Sequence, residues 1–201
     1  MQGRTRIKGY FRLLPMAIFA VAALIGSATQ IAGTPAMATE RPVTPEKNPP
    51  GDIPDTQVFI TYASPLGFSL KVPEGWARTD HPDGAGFSDK YNAVDVTVTS
   101  APRAPTATSI ASHEAADLVQ GGRAVRIAAI RQVMLRSGPA LLIVYTSNSG
   151  PNPVTNRQLR LERHRYLIYR GGKLATLDLS APLGADNADQ WKLISDSFQW
   201  R

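Results

Sequence analysis

Gln158 to Ser180 reads QLRLERHRYLIYRGGKLATLDLS, and this stretch decides the fold. Two runs rich in β-branched, aromatic and leucine side chains, Gln158–Tyr169 and Lys173–Ser180, flank the pair Gly171-Gly172. Two adjacent glycines can both take the positive φ that a tight hairpin turn demands. The stretch therefore predicts two antiparallel strands joined by the shortest of connections.

Working outward, Arg126–Arg136 and Pro139–Ser147 flank Ser137-Gly138 and read as a second hairpin. Within it, Ala140 to Tyr145 (ALLIVY) is apolar on both faces, which predicts the central strand of the sheet. Asn92 to Thr99 alternates Val94, Val96 and Val98 with Asp95, Thr97 and Thr99, as a strand with one covered face does. Val58–Tyr62 and Gly67–Val72 form a further pair of strands around Ala63-Ser64-Pro65-Leu66. Ser109–Gln120 carries a helical pattern that stops at Gly121-Gly122, and Asp186–Ser197 places Trp191, Ile194 and Phe198 on one helical stripe. The expected architecture is α+β: a central, mainly antiparallel sheet flanked by helices, an α/β/α sandwich over residues 58–201.

Two segments precede this domain. Arg4, Arg6, Lys8 and Arg12 come before the uncharged run Leu13–Ala28 (LLPMAIFAVAALIGSA), and Ala36 and Ala38 flank Met37. That order is the one an export signal shows, with the small residues at Ala36 and Ala38 marking cleavage after Ala38. The alternative is an uncleaved anchor reaching about Gly33; both place the domain outside the cytoplasm. Residues 39–57 (TERPVTPEKNPPGDIPDTQ) hold five prolines and almost no large apolar side chain, which predicts an extended linker.

Composition narrows the chemistry. The chain has 201 residues, 43% hydrophobic and 19% charged, with no cysteine. Disulfides, thiolate metal sites and a cysteine nucleophile are excluded. The net charge of +6 belongs mostly to residues 1–38; the remainder carries 18 basic against 16 acidic side chains, a balance of +2. So even a balance gives no reason to expect nucleic acid as a partner. Gly-x-Ser-x-Gly, His-Glu-x-x-His, the Walker loop and Gly-x-Gly-x-x-Gly are all missing from the sequence. Asp80-His81-Pro82-Asp83 reads as a solvated turn, His113-Glu114 with Asp117 as the charged start of a helix, and His164 as a strand residue between two arginines. No catalytic, metal or cofactor site is expected. The remaining candidates for binding a partner are Arg157, Arg160, Arg163 and Arg165, with Arg160 expected on one face and Arg157, Arg163 and Arg165 on the other. Exposed guanidinium groups fork to carboxylates and phosphates, whereas pairing with Glu162, Asp95 and Asp178 would make the same cluster structural.

Tyr62, the turn through Pro65, Gly67-Phe68-Ser69-Leu70-Lys71-Val72-Pro73 and Gly75-Trp76 resemble the opening of the PsbP/Mog1-like domains. Phe87-Ser88-Asp89, Gly172–Leu177 and the closing Trp191–Phe198 helix extend the similarity from Val58 to Arg201. The resemblance implies an antiparallel sheet flanked by helices and no catalytic motif. Members include extrinsic photosystem subunits, Ran-binding proteins and bacterial envelope proteins; the lack of cysteine departs from lipid-anchored members. Together, residues and resemblance point to an exported accessory or binding domain serving an envelope or membrane complex, or contacting anionic or apolar lipid. A carrier of an apolar envelope ligand and an unrecognised hydrolase are the alternatives.

Overall fold

The computed structural model describes residues 40–201, so the expected leader and the expected cleavage residues Ala36 and Ala38 lie outside the described residues. The elements are β1 (Phe59–Ser64), β2 (Phe68–Pro73), β3 (Ala77–His81), β4 (Gly84–Asp89), β5 (Asn92–Ser100), α1 (Ala107–Ser112), α2 (Glu114–Gly121), β6 (Arg126–Leu135), β7 (Gly138–Asn148), β8 (Arg160–Arg170), β9 (Lys173–Pro182), α3 (Ala188–Ser197) and β10 (Gln199–Trp200). A seven-stranded sheet runs in the order β3-β4-β5-β9-β8-β7-β6, and a three-stranded sheet in the order β1-β2-β10. Every pairing is antiparallel, which is the α+β class expected from the pattern.

The Gly171-Gly172 hairpin forms as read. Arg170 pairs with Lys173, and the two glycines adopt φ +54° and +84°, the double positive φ of a type I′ turn. Ala140–Tyr145, however, is not central. It lies in β7, one strand in from the β6 edge, and β9 holds the middle. Covering layers, not position, make both faces of β7 apolar. One face of the large sheet packs Leu142, Tyr166, Leu177, Leu179, Val94 and Val96 against Phe68, Leu70, Trp191, Ile194 and Phe198 of the small sheet and α3. On the other face Leu141, Ile143, Tyr145 and Leu167 meet Ile110 and Leu118 of α1 and α2.

Three further differences have local causes. The opening hairpin β1–β2 leaves the main sheet because Trp200 and Gln199 of β10 pair with Phe68 and Ser69, and the Arg201 amide donates to Gly67 O at 2.8 Å. The single helix expected over Ser109–Gln120 breaks at His113 (φ −122°, ψ −76°). There the Ser109 and Ser112 hydroxyls bond back to the carbonyls of Thr106 and Thr108, competing with helix propagation. Asp80-His81 ends β3 instead of standing in a free turn, and only Pro82 and Asp83 turn the chain into β4.

Residues 40–57 contain no helix or strand, yet they are not the free spacer expected for the linker; they are strapped to the domain by four amide side chains, those of Asn148, Gln158, Asn187 and Gln190. Asn148 accepts from Val43 N at 3.1 Å and donates to Glu40 Oε1 and Arg41 O. Asn187 accepts from Ile53 N at 2.7 Å and donates to Gly51 O at 2.9 Å, while Gln190 donates to Ile53 O. Ile53, 4% exposed, is the strap's apolar anchor. Proline count conveys extension, but it cannot reveal that distant amides supply the hydrogen bonds an extended chain lacks. Replacing Asn187 by alanine leaves two strap groups without partners and is expected to destabilise the domain by about 1–3 kcal/mol. Urea unfolding reads this, with faster amide exchange at residues 51–53.

The front of the strap is expected to weaken in acid. Hydrogen bonds from Asn148 and Gln158 hold the Glu40 carboxyl below its ordinary value of 4.5. A carboxylate favoured by the fold adds stability above that ordinary value and loses it as pH falls through the lower folded value. Limited proteolysis across this range is therefore expected to cut near residue 40 faster at acid pH, and a Glu40→Gln variant to show no such rise.

Candidate functional site

On the face covered by α1 and α2, alternation in β5, β9, β8 and β7 brings polar side chains into rows across the sheet. Asp95 stands opposite Asp178 and Asp178 opposite Arg165, while Arg163 lies opposite both Ser180 and Tyr145. The helices cover Leu141, Ile143, Tyr145 and Leu167, whereas Asp95 and Thr99 remain exposed.

Asp178 is the hub. Its side chain is 8% exposed. Oδ2 accepts from the Tyr145 hydroxyl at 2.8 Å and Arg165 Nε at 2.7 Å, and Oδ1 faces Arg163 NH1 at 3.5 Å. Arg165 NH1 also donates to Glu114 Oε1 of α2 at 2.6 Å, and Arg163 Nε to Ser147 Oγ at 3.0 Å. Burial, followed by the Asp178 charge, pushes the Tyr145 hydroxyl up, so it stays protonated as a donor. Burial alone would weaken the Arg165 charge, but Asp178, Tyr145 and Glu114 outweigh it and hold the guanidinium above its ordinary value. Asp95 has the opposite fate: the residue as a whole is exposed, but its carboxyl packs beside Gly86, and that partial burial and then the neighbouring Asp178 raise it. Gly86 makes room for it, since a Cβ there would stand 2.5 Å from Asp95 Oδ1.

Arg163 and Arg165 line a cleft of about 260 Å³ with Leu118, Gly122, Arg123 and Tyr145. Their NH2 groups have no hydrogen-bond partner among the described residues, while their remaining atoms are fixed by Asp178, Ser147 and Glu114. Such preorganised guanidinium groups suit a carboxylate or phosphate.

The four arginines singled out in the sequence do not form one cluster. Arg163 and Arg165 come together, two residues apart on one strand face. Arg160, 5% exposed, spends its donors on Ala124 O, Asn148 Oδ1 and Thr146 Oγ1 and closes the strand end. Arg157 precedes β8 instead of sharing its face, and pairs with Glu46 of the strap at 3.2 Å. Of the acids named as internal partners, Asp178 pairs with Arg163 and Arg165, while Glu162 turns to His164 on the opposite face. Glu114 and Ser147 were not legible as contacts, since nothing in a one-dimensional pattern aims a helix residue at a strand.

The histidines lie apart. His81 ends the exposed strand β3, and His113 sits in the helix break. His164 packs edge-on against Trp191 with centroids 4.7 Å apart, and its Nε2 is 3.2 Å from Glu162 Oε1. Among the described residues no group of three His, Cys, Asp or Glu side chains is placed to hold a metal, and no helix is long and apolar enough to cross a membrane. A second, mainly apolar hollow of about 210 Å³ is lined by Ala104, Pro105, Gln132, Leu141, Leu167 and Tyr169.

No protein-family model and no curated protein sequence matches the chain. Solved structures do. Cyanobacterial PsbP (CyanoP) from Synechocystis sp. PCC 6803 is similar at 17% identity and a TM-score of 0.53, covering 75% of this chain and 98% of that one. The Ran-binding protein Mog1p of Saccharomyces cerevisiae has 8% identity, a TM-score of 0.48 and coverage of 72% and 96%. LpqN, involved in cell envelope biogenesis of Mycobacterium tuberculosis, has 11% identity, a TM-score of 0.43 and coverage of 71% and 89%. The sheet order, the flanking helices and the superposition on PsbP together make this an α+β domain of the PsbP/Mog1-like fold.

Proposed function

We propose that the chain is an exported, non-catalytic binding domain that serves a membrane or envelope complex at the outer face of a membrane. The cleft formed by Arg163 and Arg165 is its contact for an anionic group. The observation that carries this reading is the division of labour in the arginine pair: Asp178, Ser147 and Glu114 hold the Nε and NH1 groups, both residues line the cleft, and neither NH2 group has a hydrogen-bond partner among the described residues. The export signal read in residues 1–38 supplies the location. Three polar groups capable of acid–base work are engaged in pairs: Tyr145 as a donor, Asp178 as an acceptor, His164 with Glu162.

Sedimentation of the purified full-length chain with phosphatidylglycerol vesicles, against phosphatidylcholine vesicles, tests the cleft. Asp178 keeps Tyr145 and Arg165 as donors when Arg163 is replaced, so Arg163→Gln is expected to fold and to bind the anionic vesicles about fivefold more weakly. Equal binding by the variant contradicts the assignment. Turnover of a panel of ester, peptide and glycoside substrates, lost in His81→Ala or His164→Ala, contradicts the non-catalytic reading. The apolar hollow beside Leu141 and Leu167 favours a second reading, a carrier of a small apolar ligand. Co-purifying lipid in native mass spectrometry of protein from its own host marks that outcome.

A further inference from the structure

The two edges of the large sheet are built differently. β3 is 5 residues long, and its Arg78, Asp80 and His81 break the edge with charge of both signs. β6 is 10 residues long (RIAAIRQVML) and has neither proline, lysine nor acid. Charge, proline and shortness are the devices that keep a free strand edge from pairing with another chain, and β6 lacks most of them. Its single irregularity is a bulge between Ile127 and Ala129. The backbone groups of β6 that face away from β7 take part in no hydrogen bond among the described residues. Ala128, Ala129 and Gln132 are exposed, and Met134 is 75% exposed.

Two observations identify what fits there. From Leu118 to Leu161 the sequence contains no acid, and Arg126, Arg131 and Arg136, on β6 and the turn after it, form no ion pair among the described residues. A second copy laid antiparallel on β6 would set six arginines along one shared edge without a compensating acid, so self-pairing is disfavoured. An acidic strand is complementary. The second observation is the apolar hollow of about 210 Å³, whose rim includes Gln132 of β6, opposite Leu141. A strand added at this edge points alternate side chains to each face of the sheet, so one set passes beside the hollow.

We propose that the β6 edge receives an extended, acidic segment of another protein by strand addition: glutamate or aspartate meets Arg126 and Arg131, and an apolar side chain enters the hollow between Pro105 and Leu141. In this mode main-chain hydrogen bonds supply affinity, and pockets for alternate side chains supply selectivity. The surface is separate from the arginine cleft and does not depend on export or on the absence of turnover.

Hydrogen–deuterium exchange of the purified full-length chain tests it. The probe is a capped eight-residue peptide of alternating valine and glutamate, compared with its lysine counterpart and with a version N-methylated at alternate amides. The valine–glutamate peptide is expected to slow exchange in residues 126–135 at least about tenfold. Both control peptides are expected to leave exchange unchanged. Arg126→Glu with Arg131→Glu, both at exposed positions, is expected to weaken binding about tenfold. Equal binding of the N-methylated peptide, protection confined to other strands, or a free chain that is already dimeric with β6 protected would overturn the proposal. None of these results bears on vesicle binding by Arg163, so the two readings stand or fall separately.

Discussion

Replacing Asp178 by alanine is expected to destabilise the domain by about 3–5 kcal/mol, the range seen when one partner is removed from a buried ion pair. The expectation follows from what would be left behind. Arg165 and Arg163, with side chains 22% and 28% exposed, would face each other across an empty space, and the buried Tyr145 hydroxyl would lose its acceptor. Glu114 would still hold Arg165, but from one side only. Asp178→Asn keeps the volume and an acceptor for Tyr145, so it should fall between wild type and alanine. The neighbouring acid supplies the control. Burial and Asp178 raise the Asp95 carboxyl, so the fold favours its neutral form, and its contribution worsens as pH rises from the ordinary value of 3.8 through the raised one. Asp95→Asn is therefore expected to be neutral or to stabilise by up to about 1 kcal/mol at pH 7, a small effect because the residue is exposed to solvent. Urea unfolding at pH 7, followed by tryptophan fluorescence, measures all three. A loss below about 1 kcal/mol in Asp178→Ala would show that the carboxylate is not the hub that holds Tyr145, Arg163 and Arg165.

Phe198→Ala is expected to cost about 3–5 kcal/mol, a large part of the 5–15 kcal/mol available to an ordinary domain. Phe198 is fully buried where α3 ends and β10 begins. Its ring stacks on Phe68 of β2 at 5.7 Å and 16°, and meets Trp200 edge-on at 5.4 Å. Truncation opens a cavity at the junction of the small sheet, α3 and the main core, so the loss should be regional as well as global. Amide exchange in β10 and in β2 near Phe68 should accelerate more than in β7 or β8. A uniform increase would mean that the small sheet is not held chiefly by this aromatic contact.

How far the sequence carries such arguments depends on whether the information is local. Val94, Val96 and Val98, the Gly171-Gly172 turn and the Trp191–Phe198 stripe encode strand, hairpin and helix by period and φ alone, and those features appear in the structure as read. Position within the sheet was not legible. Ala140–Tyr145 looked central because two layers cover it, while the truly central β9 shows Thr176, Asp178 and Ser180 on one face and so resembles a half-exposed strand. The hairpin of β3 and β4 was hidden by its exposed, polar first strand, whose Asp80-His81 end runs into Pro82-Asp83 and reads with it as one solvated turn.

The candidate site divides in the same way. Strand alternation placed Arg163 and Arg165 together, and it named Asp178 as a possible pair. It could not show that Arg157 lies before the strand begins, nor that Arg160 would be consumed at the sheet end by Asn148, Thr146 and Ala124. The strap failed to show for a related reason: Asn148 and Asn187 lie more than a hundred residues from the backbone they bind.

The measurement that bears most directly on an exported binding domain is protease accessibility in the host cell. Cells stripped of any outer wall but with an intact cytoplasmic membrane would be treated with protease, and the fate of residues 40–201 followed with an antibody, beside a cytosolic marker. The domain is expected to be digested, or released into the medium, while the marker survives. A full-length chain that is protected together with the marker, and degraded only after the membrane is broken, would contradict the account.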